Sequence, residues 1–478
     1  MALLGKNDTI IYKRVVTNAD VPFVEYIKNT KGSMLRDRYR IYRYGDELFS
    51  AYTIKTPDQI NDENTNRFFE SIKFKKPAPQ SHFLKSHAGL LLSSLFSRDS
   101  ATSADALTYI RIAPFDTNDL DTMHKAIIHI SICDVDNPVK KKWYKAIIDR
   151  IISLHDKSSF EFARDAFKMV ADSNAELKNA LLEIMVSYPT LDNYKTIAEM
   201  LRSGPPESDL SVVVRNRLKD TCTLTAQIMQ TLLPLLNNSY LSPSIMDICN
   251  SLIDSNLLDR SQLSTYVTPS VLLSKKRVEL LLEDTDKYYT LDIATIRFLG
   301  NLKSQVANTQ LKAYLPVKDN YIKYKALKEL INNNIPVDPS VYLQIASDKY
   351  YRIFLYNYLK EKNKLNLFPI TYKTQKSFAE SEIWASLIED DYEPVTIKYL
   401  TQKSQLIKGR PTTFYFFKVW FDGDEPEQSY LIGCGPYLPK SSFPMEETIS
   451  KRYFDDVFDS KNMQSQIDAL LKSYSNGD

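Results

Sequence analysis

At 478 residues the chain is long enough for two to four domains with real cores, and its 61 basic and 59 acidic side chains nearly cancel. That balance argues against a dedicated nucleic-acid binder, which carries a strong basic excess, and gives no attraction to an anionic membrane surface. Glycine is scarce, at 11 residues, which suits a helix-rich chain with few phosphate-cradling loops.

Met1 to Ile11 holds one early lysine and an apolar piece too short for a secretory leader. The segment Gly89 to Phe96 is interrupted by two serines and falls short of the ~20 apolar residues that span a bilayer. The expectation is a soluble chain with no transmembrane segment. It would be cytoplasmic, or periplasmic if the sequence is part of a longer protein.

Residues 1–75 read as a small α+β unit. Thr9 to Val16 is β-branched and reads as a strand. Val21 to Lys28 is a second strand or a helical turn. Tyr39 to Tyr44 alternates, Gly45-Asp46 turns, and Leu48 to Ile54 continues as the return strand of a hairpin. Asn61 to Ser71 is a short helix that sets Phe68, Phe69 and Ile72 on one side. The hairpin RYRIYRYGDELFSAYTI followed by a helix ending RFFESIKF resembles the last half of PsbP-like lipoprotein domains. That resemblance covers residues 9–74 only. It implies an incomplete domain whose first strands lie upstream in a longer natural protein.

Residues 76–117 are the expected linker. Lys75-Lys76-Pro77-Ala78-Pro79 cannot continue a helix. Ser93 to Ala106 is rich in Ser and Ala and reads as flexible, apart from a short helix over Gly89 to Phe96.

Residues 118–390 read as one helix after another. Asp119 to Cys133 spaces Leu120, Met123, Ile127 and Ile130 at helical period. Asn137-Pro138 opens the next helix, to Leu154, and Ser158 and Asn174 open two more. Leu191 to Leu201 ends at Gly204-Pro205-Pro206. Ser208-Asp209 is the expected cap of a sixth helix that turns Val212, Val213 and Leu218 inward. Thr221 to Leu236 and Pro243 to Ser255 follow. Further helices are expected over Pro269 to Leu282, Leu291 to Leu299, Ser304 to Tyr314, Tyr321 to Asn333, Pro339 to Ala346, Tyr350 to Lys360 and Gln375 to Ile388. Pairs recur at roughly 35–45 residues, within the span of HEAT-like units. Each helix has a broad apolar face and is too short to stand alone, so stacking on neighbours is the simplest way to bury it. The TPR and ankyrin signatures are absent. An irregular HEAT-like α-solenoid is the leading fold class, mainly α, with an irregular α-bundle as its rival.

Residues 391–478 switch to period two and read as an α+β cap. Val395 to Leu400 is extended, and Ile407 to Pro411 turns. Thr412 to Phe421 is apolar on both faces, as in a central strand covered on two sides. Asp422-Gly423-Asp424 turns into a partner strand over Ser429 to Cys434. Asn462 to Tyr474 is a final amphipathic helix.

The chemistry-bearing residues form no catalytic constellation. His124 and His129 sit five apart on a helix, whereas metal pairs use i, i+3 or i, i+4. His82 and His87 lie in the linker without nearby cysteine or carboxylate ligands. His155-Asp156 is a helix terminus, where histidine suits the dipole. Cys133, Cys222, Cys249 and Cys434 include no CxxC pair and are expected to be buried apolar thiols. The acidic run Asp422 to Glu427 lacks calcium-loop spacing. Gly433-Cys434-Gly435 is followed by Pro436 and Tyr437 rather than by a helix, so it is no nucleotide loop. Val139 to Lys145 (VKKKWYK) reads as a charged helix face with one buried tryptophan, although such a mix is also able to stack bases. No P-loop, GxSxG or HExxH occurs.

These readings predict no catalytic, cofactor or metal residue, and a non-catalytic protein-interaction scaffold whose partner is a protein. The layout also resembles the C-terminal extensions of large bacterial TraB/GumN-type proteins. Their GxxH pattern is missing here, so that resemblance implies a non-catalytic region of a larger enzyme.

Overall fold

In a computed structural model of the chain, the described residues are 8–17, 19–45, 47–76, 88–133, 137–283, 290–389, 394–407, 409–421, 428–441 and 457–476. They are mainly helical, with two small antiparallel sheets toward the two ends. The chain divides into two compact units, Met1–Ala166 and Phe167–Asp478.

The first unit begins with strands β1 (Asp8–Val16), β2 (Phe23–Thr30), β3 (Arg36–Tyr44) and β4 (Glu47–Lys55), paired in that order as an antiparallel sheet. The stretch expected over 21–28 is thus a strand from Phe23 onward rather than a helical turn. Tyr44 pairs with Glu47 across the two-residue turn, where Gly45 takes the left-handed conformation that a tight hairpin requires. Helix α1 (Glu63–Ser71) starts at Asp62, whose side chain accepts from the Thr65 backbone N–H.

Alternation on β3 turns Arg38, Arg40 and Tyr42 toward α1 and buries them. Tyr39, on the other face, stacks between Tyr26 and Tyr52 with ring centroids 5.1 and 5.7 Å apart. The buried side is an ion cluster built around one ring. Glu25, 1% exposed, lies 2.7 Å from Arg38 Nη2 and 3.2 Å from Arg40 Nη2. Both guanidiniums lie over the Phe69 ring of α1, at 4.8 and 5.4 Å from its centroid. Arg38 Nη1 also donates to the Ile60 carbonyl and to Asn66 Oδ1, and Arg40 Nη1 donates to the Phe69 carbonyl. Phe69 is therefore fully buried. Phe68, expected beside it, is 47% exposed. Adjacent helical residues diverge by about 100°, and the arginines occupy only one of the two directions.

Helices α2 (Ala88–Leu95), α3 (Ser100–Ile110), α4 (Leu120–Ile132), α5 (Asn137–Leu154) and α6 (Ser158–Met169) follow. Helix α3 corrects the flexible reading of residues 93–106. Asp99 caps it by accepting from the Thr102 backbone N–H, and Ala106 and Ile110 are buried. Helix α2 packs on α3 and α4, and α3 on α5. Small residues lower the hydropathy of the stretch without removing its helical period.

The second unit runs through α7 (Ala175–Val186), α8 (Leu191–Ser203), α9 (Val212–Asp220), α10 (Cys222–Leu232), α11 (Ser242–Asp254), α12 (Val267–Glu283), α13 (Thr290–Leu302), α14 (Gln305–Lys312), α15 (Asn320–Asn332), α16 (Pro339–Ser347), α17 (Tyr351–Glu361) and α18 (Gln375–Glu389). Helices two apart in the chain pack together: α7 on α9, α9 on α11, α11 on α13, α13 on α15 and α15 on α17, with α8 on α10 and α12 on α14. Side chains tie these neighbours to one another's backbones over 26 to 44 residues of chain. Lys178 Nζ donates to the Gly204 carbonyl, Asn179 Nδ2 to that of Asp209, Asn250 Nδ2 to that of Ala294 and Asn333 Nδ2 to that of Gly300.

Two boundaries differ from expectation. Ser211, not Ser208-Asp209, caps α9 through the Val214 N–H. The later start turns Val214 and Leu218 inward and leaves Val212 and Val213 exposed at 59% and 44%. Helix α10 stops at Leu232, and Leu233–Asn237 tightens into a 3-10 turn at Pro234, which has no N–H to give.

Strands β5 (Pro394–Ile407), β6 (Arg410–Phe421) and β7 (Tyr430–Tyr437) form the second sheet, with β6 in the middle. Strand β5 is longer than the expected 395–400 and runs to Ile407, which pairs with Arg410 of β6. The two-sided burial of β6 holds. Tyr415, Phe417 and Val419 pack with Ala379, Ile383 and Leu387 of α18, while Phe414 and Phe416 pack with Ile467 of α19 (Met463–Asn476). Among the described residues no helix is long and apolar enough to cross a membrane.

Removing a buried acid from between two buried bases leaves charge uncompensated, which costs about 3–5 kcal/mol. Glu25→Ala is therefore expected to unfold the Met1–Ala166 unit at distinctly lower urea concentration, read by hydrogen exchange at β2 and β3. Exchange unchanged from the parent would remove the ion cluster as a support of this sheet. Gly300 on α13 supplies a second test. Alanine usually gains about 0.5–1 kcal/mol over glycine inside a helix. Here an added Cβ would sit 2.5 Å from Glu329 Oε2 and 2.8 Å from Glu329 Cβ on α15, and overpacking of that kind costs about 1–3 kcal/mol. Gly300→Ala should lower the denaturation midpoint of the Phe167–Asp478 unit. A raised midpoint would show that α13 and α15 do not approach so closely.

Candidate functional site

Helix α15 carries the sequence NYIKYKALKELIN and is capped by Asp319, whose side chain accepts from the Ile322 N–H. Its inner positions divide between two cores. Ile322, Ala326 and Leu330 join the cluster that includes Ile296 and Leu299 of α13, while Tyr324, Leu327 and Ile331 join the one that includes Leu355 and Leu359 of α17. What remains is a stripe at i, i+4, i+7 and i+11: Tyr321, Lys325, Lys328 and Asn332, all half-buried or exposed.

The two lysines lie on aromatic rings. Lys325 Nζ is 4.9 Å from the Tyr321 centroid. Lys328 Nζ is 5.6 Å from that of Tyr324 and 4.5 Å from that of Tyr358 on α17. Lys362 reaches Tyr358 from the other side at 5.4 Å. Tyr351 of α17 stacks on Tyr321 at 6.2 Å, which continues the aromatic surface from one helix to the next. The rings beneath the lysines are held in place: Tyr324 Oη donates to the Phe354 carbonyl, and Tyr358 Oη lies 2.6 Å from Asn332 Oδ1.

Electrostatically the stripe is unbalanced. Burial lowers the ammonium pKa of Lys325 and of Lys328. Arg297 lowers Lys325 further and Lys325 does the same to Lys328, while Glu329 opposes the shift at both and Glu361 opposes it at Lys328. Among the described residues neither ammonium has a carboxylate within the 4.0 Å of an ion pair. The nearest acids are committed elsewhere. Glu361 pairs with Lys362 at 3.0 Å, and Glu329 turns toward Gly300, where burial raises its carboxyl pKa. This surface can bind anionic groups by charge and cation–π-supported geometry. It offers no nucleophile with a base.

The residues singled out from sequence fall elsewhere. His124 stacks face to face on Phe162 with centroids 3.9 Å apart, its Nε2 3.3 Å from Ser159 Oγ. Burial lowers its pKa to about 4, against the opposing pull of Asp121 and Asp156. His129 is exposed and meets the Phe96 ring edge-on instead. His155 closes α5 in a left-handed conformation. His82, His87 and the run 422–427 lie outside the described residues. Among the described residues no three of His, Cys, Asp and Glu gather as a metal-binding group.

Cys249 and Cys434 are buried as expected, and burial pushes the Cys434 thiol up to about 12. Cys133 and Cys222 are only half-buried, a correction to the uniform reading. They close helix ends, where Cys133 Sγ meets the His129 carbonyl and Cys222 Sγ that of Lys219. Gly433 and Gly435 lie in β7 and make room for aromatic rings. An added Cβ would come within 2.9 Å of Phe416 and 2.8 Å of Phe414. On α5, Trp143 and Tyr144 are buried while Lys141, Lys142 and Lys145 are exposed, so the basic run is a solvated face.

The stripe on α15 was missed because Tyr and Lys at positions 321, 325 and 328 read from sequence as an ordinary polar face. A usable signal was present: Tyr-x-x-x-Lys-x-x-Lys, with Glu329 the one acid at helical spacing from Lys325.

A histidine held neutral by burial keeps its ordinary unfolded pKa near 6.5. Its stabilising effect is complete above that value and is lost as pH falls through 6.5 toward 4. Allowing for its partial exposure, the loss is about 1–2 kcal/mol. NMR titration of the imidazole should place the His124 midpoint near 4, and a midpoint above 6 would contradict the stacked, buried geometry.

No protein-family model, no curated protein and no solved structure matches the chain.

Proposed function

We propose that the chain is a non-catalytic scaffold for protein partners, its second unit an irregular HEAT-like stack of helices ending in a small α+β cap. The observation that carries this reading is the order of packing in that unit. From α7 to α17 alternate helices pack on one another in chain sequence, and side chains bond the backbone of the neighbouring pair. An arrangement in which each pair contacts chiefly its neighbours distributes side chains over an extended surface, which favours recognition of polypeptide over enclosure of a small substrate. The Lys–Tyr stripe on α15 and α17 is one part of such a surface.

A partner recovered by chemical cross-linking from native extract, then purified, is expected to bind the full chain saturably in calorimetry at about micromolar concentration or tighter. Its binding should protect backbone amides on exposed faces of α7–α17 from hydrogen exchange. A chain that protects no amide of those helices with any cross-linked protein, and that turns over a small substrate, would sink the reading.

A further inference from the structure

The scaffold reading leaves open what kind of segment the second unit takes, and the stripe on α15 narrows it. We propose that Lys325 and Lys328, with the tyrosines beneath them, dock a carboxylate-rich segment of a protein partner, its acidic side chains pairing with the two ammonium groups. The proposal rests on the scaffold reading and specifies its ligand.

Three observations carry it. First, two like charges stand one turn apart on a helix face, a pairing that destabilises an isolated helix, and Glu329, the acid one turn beyond Lys325, turns toward Gly300 rather than pairing with either. An anion laid along the stripe relieves that repulsion. Second, the ammonium groups are already partly stripped of water by the rings of Tyr321, Tyr324 and Tyr358. Their lowered pKa values have the same origin. A carboxylate arriving there meets donors that need little further desolvation and that are held in position, so less rotamer freedom is lost on binding. Third, the two rings beneath Lys328 are not free to stack bases. Tyr324 and Tyr358 are 8% and 7% exposed, their hydroxyls are bonded to the protein, and Lys328 covers them. Single-stranded nucleic acid needs open aromatic faces beside its basic groove. Near-neutral overall charge points the same way. Side-chain carboxylates, which ask only for ammonium groups one helical turn apart, fit what is offered.

The test uses fluorescein-labelled hexaglutamate and the full chain in low-salt anisotropy titrations. The parent protein is expected to bind the peptide. Lys325→Gln with Lys328→Gln should weaken it by about tenfold or more, and glutamate at both positions should abolish binding. Lys141→Glu with Lys142→Glu, on the solvated face of α5, should leave it unchanged. The far-UV circular dichroism of each variant should match the parent, and the neutral pair keeps the test valid if the charge-reversed pair fails to fold. Equal binding by the neutral pair, or no peptide binding by the parent, overturns the proposal. So does tighter, Lys325- and Lys328-dependent binding of oligothymidine than of hexaglutamate, which would reassign the stripe to nucleic acid. The two readings fail separately. A cross-linked protein partner that binds the charge-reversed chain as well as the parent removes this docking stripe and spares the scaffold. Lysine-dependent hexaglutamate binding in a chain that engages no protein partner keeps the carboxylate-binding stripe but removes the scaffold reading, and with it the protein source of the carboxylates.

Discussion

In the second unit the backbone of each helix pair is bonded by side chains of its neighbour. Asn333 reaches the Gly300 carbonyl and Asn308 Oδ1, Tyr358 meets the Lys328 carbonyl, and Lys364 donates to the Ile331 carbonyl. Helix ends leave carbonyls without an intrahelical partner, and buried ones are costly unless another group supplies a donor. The helices concerned are mostly 8 to 13 residues long, at or below the length at which an isolated helix holds together in water. Apolar burial brings neighbours together, and these polar ties fix their offset. Gly300 against Glu329 shows how tightly the offset is set.

Much of this was legible in the sequence because it depends on period. Ile184 and Met185, Ile245 and Ile248, and Leu327 and Leu330 follow the helical spacing and are all buried. The helix starts at Asn174 and Ser304 were legible, and both residues act as caps. Where Ser208, Asp209 and Ser211 competed within four residues, composition had no means of choosing among them. Asp209 instead lies near Arg215 and Ser244, where partial desolvation of the carboxyl raises its pKa to about 6. The period-two alternation of β3 was equally plain, yet it did not reveal which set faced inward. Tyr39 and Ile41 stand on one face, and Arg38, Arg40 and Tyr42 on the other. The structure buries Arg38 and Arg40, because Glu25 and Phe69 together satisfy charges that no hydrophobic scale rewards.

The candidate surface was less legible for the same reason. Its character arises from pairs on different helices, such as Lys328 with Tyr358, and from acids engaged elsewhere, as Glu361 is with Lys362. A helix read alone shows only a polar stripe. The histidines illustrate the converse. His124 and His129 stood out by type, but the packing gives each an aromatic neighbour of its own, and among the described residues neither joins a metal-binding group of three.

Strand β6 has apolar side chains on both faces, and the two covers come from opposite directions along the chain. Helix α18 precedes the sheet, whereas α19, which seats Ile467 against Phe414 and Phe416, follows β6 by more than forty residues. During synthesis, at roughly 5–20 residues per second, one side of the sheet can close as soon as the strands leave the ribosome. The other stays greasy and open for several seconds longer. That interval is when nascent chains crowded on one message are most liable to stick to each other, and when a chaperone that grips aromatic surface would find its target here.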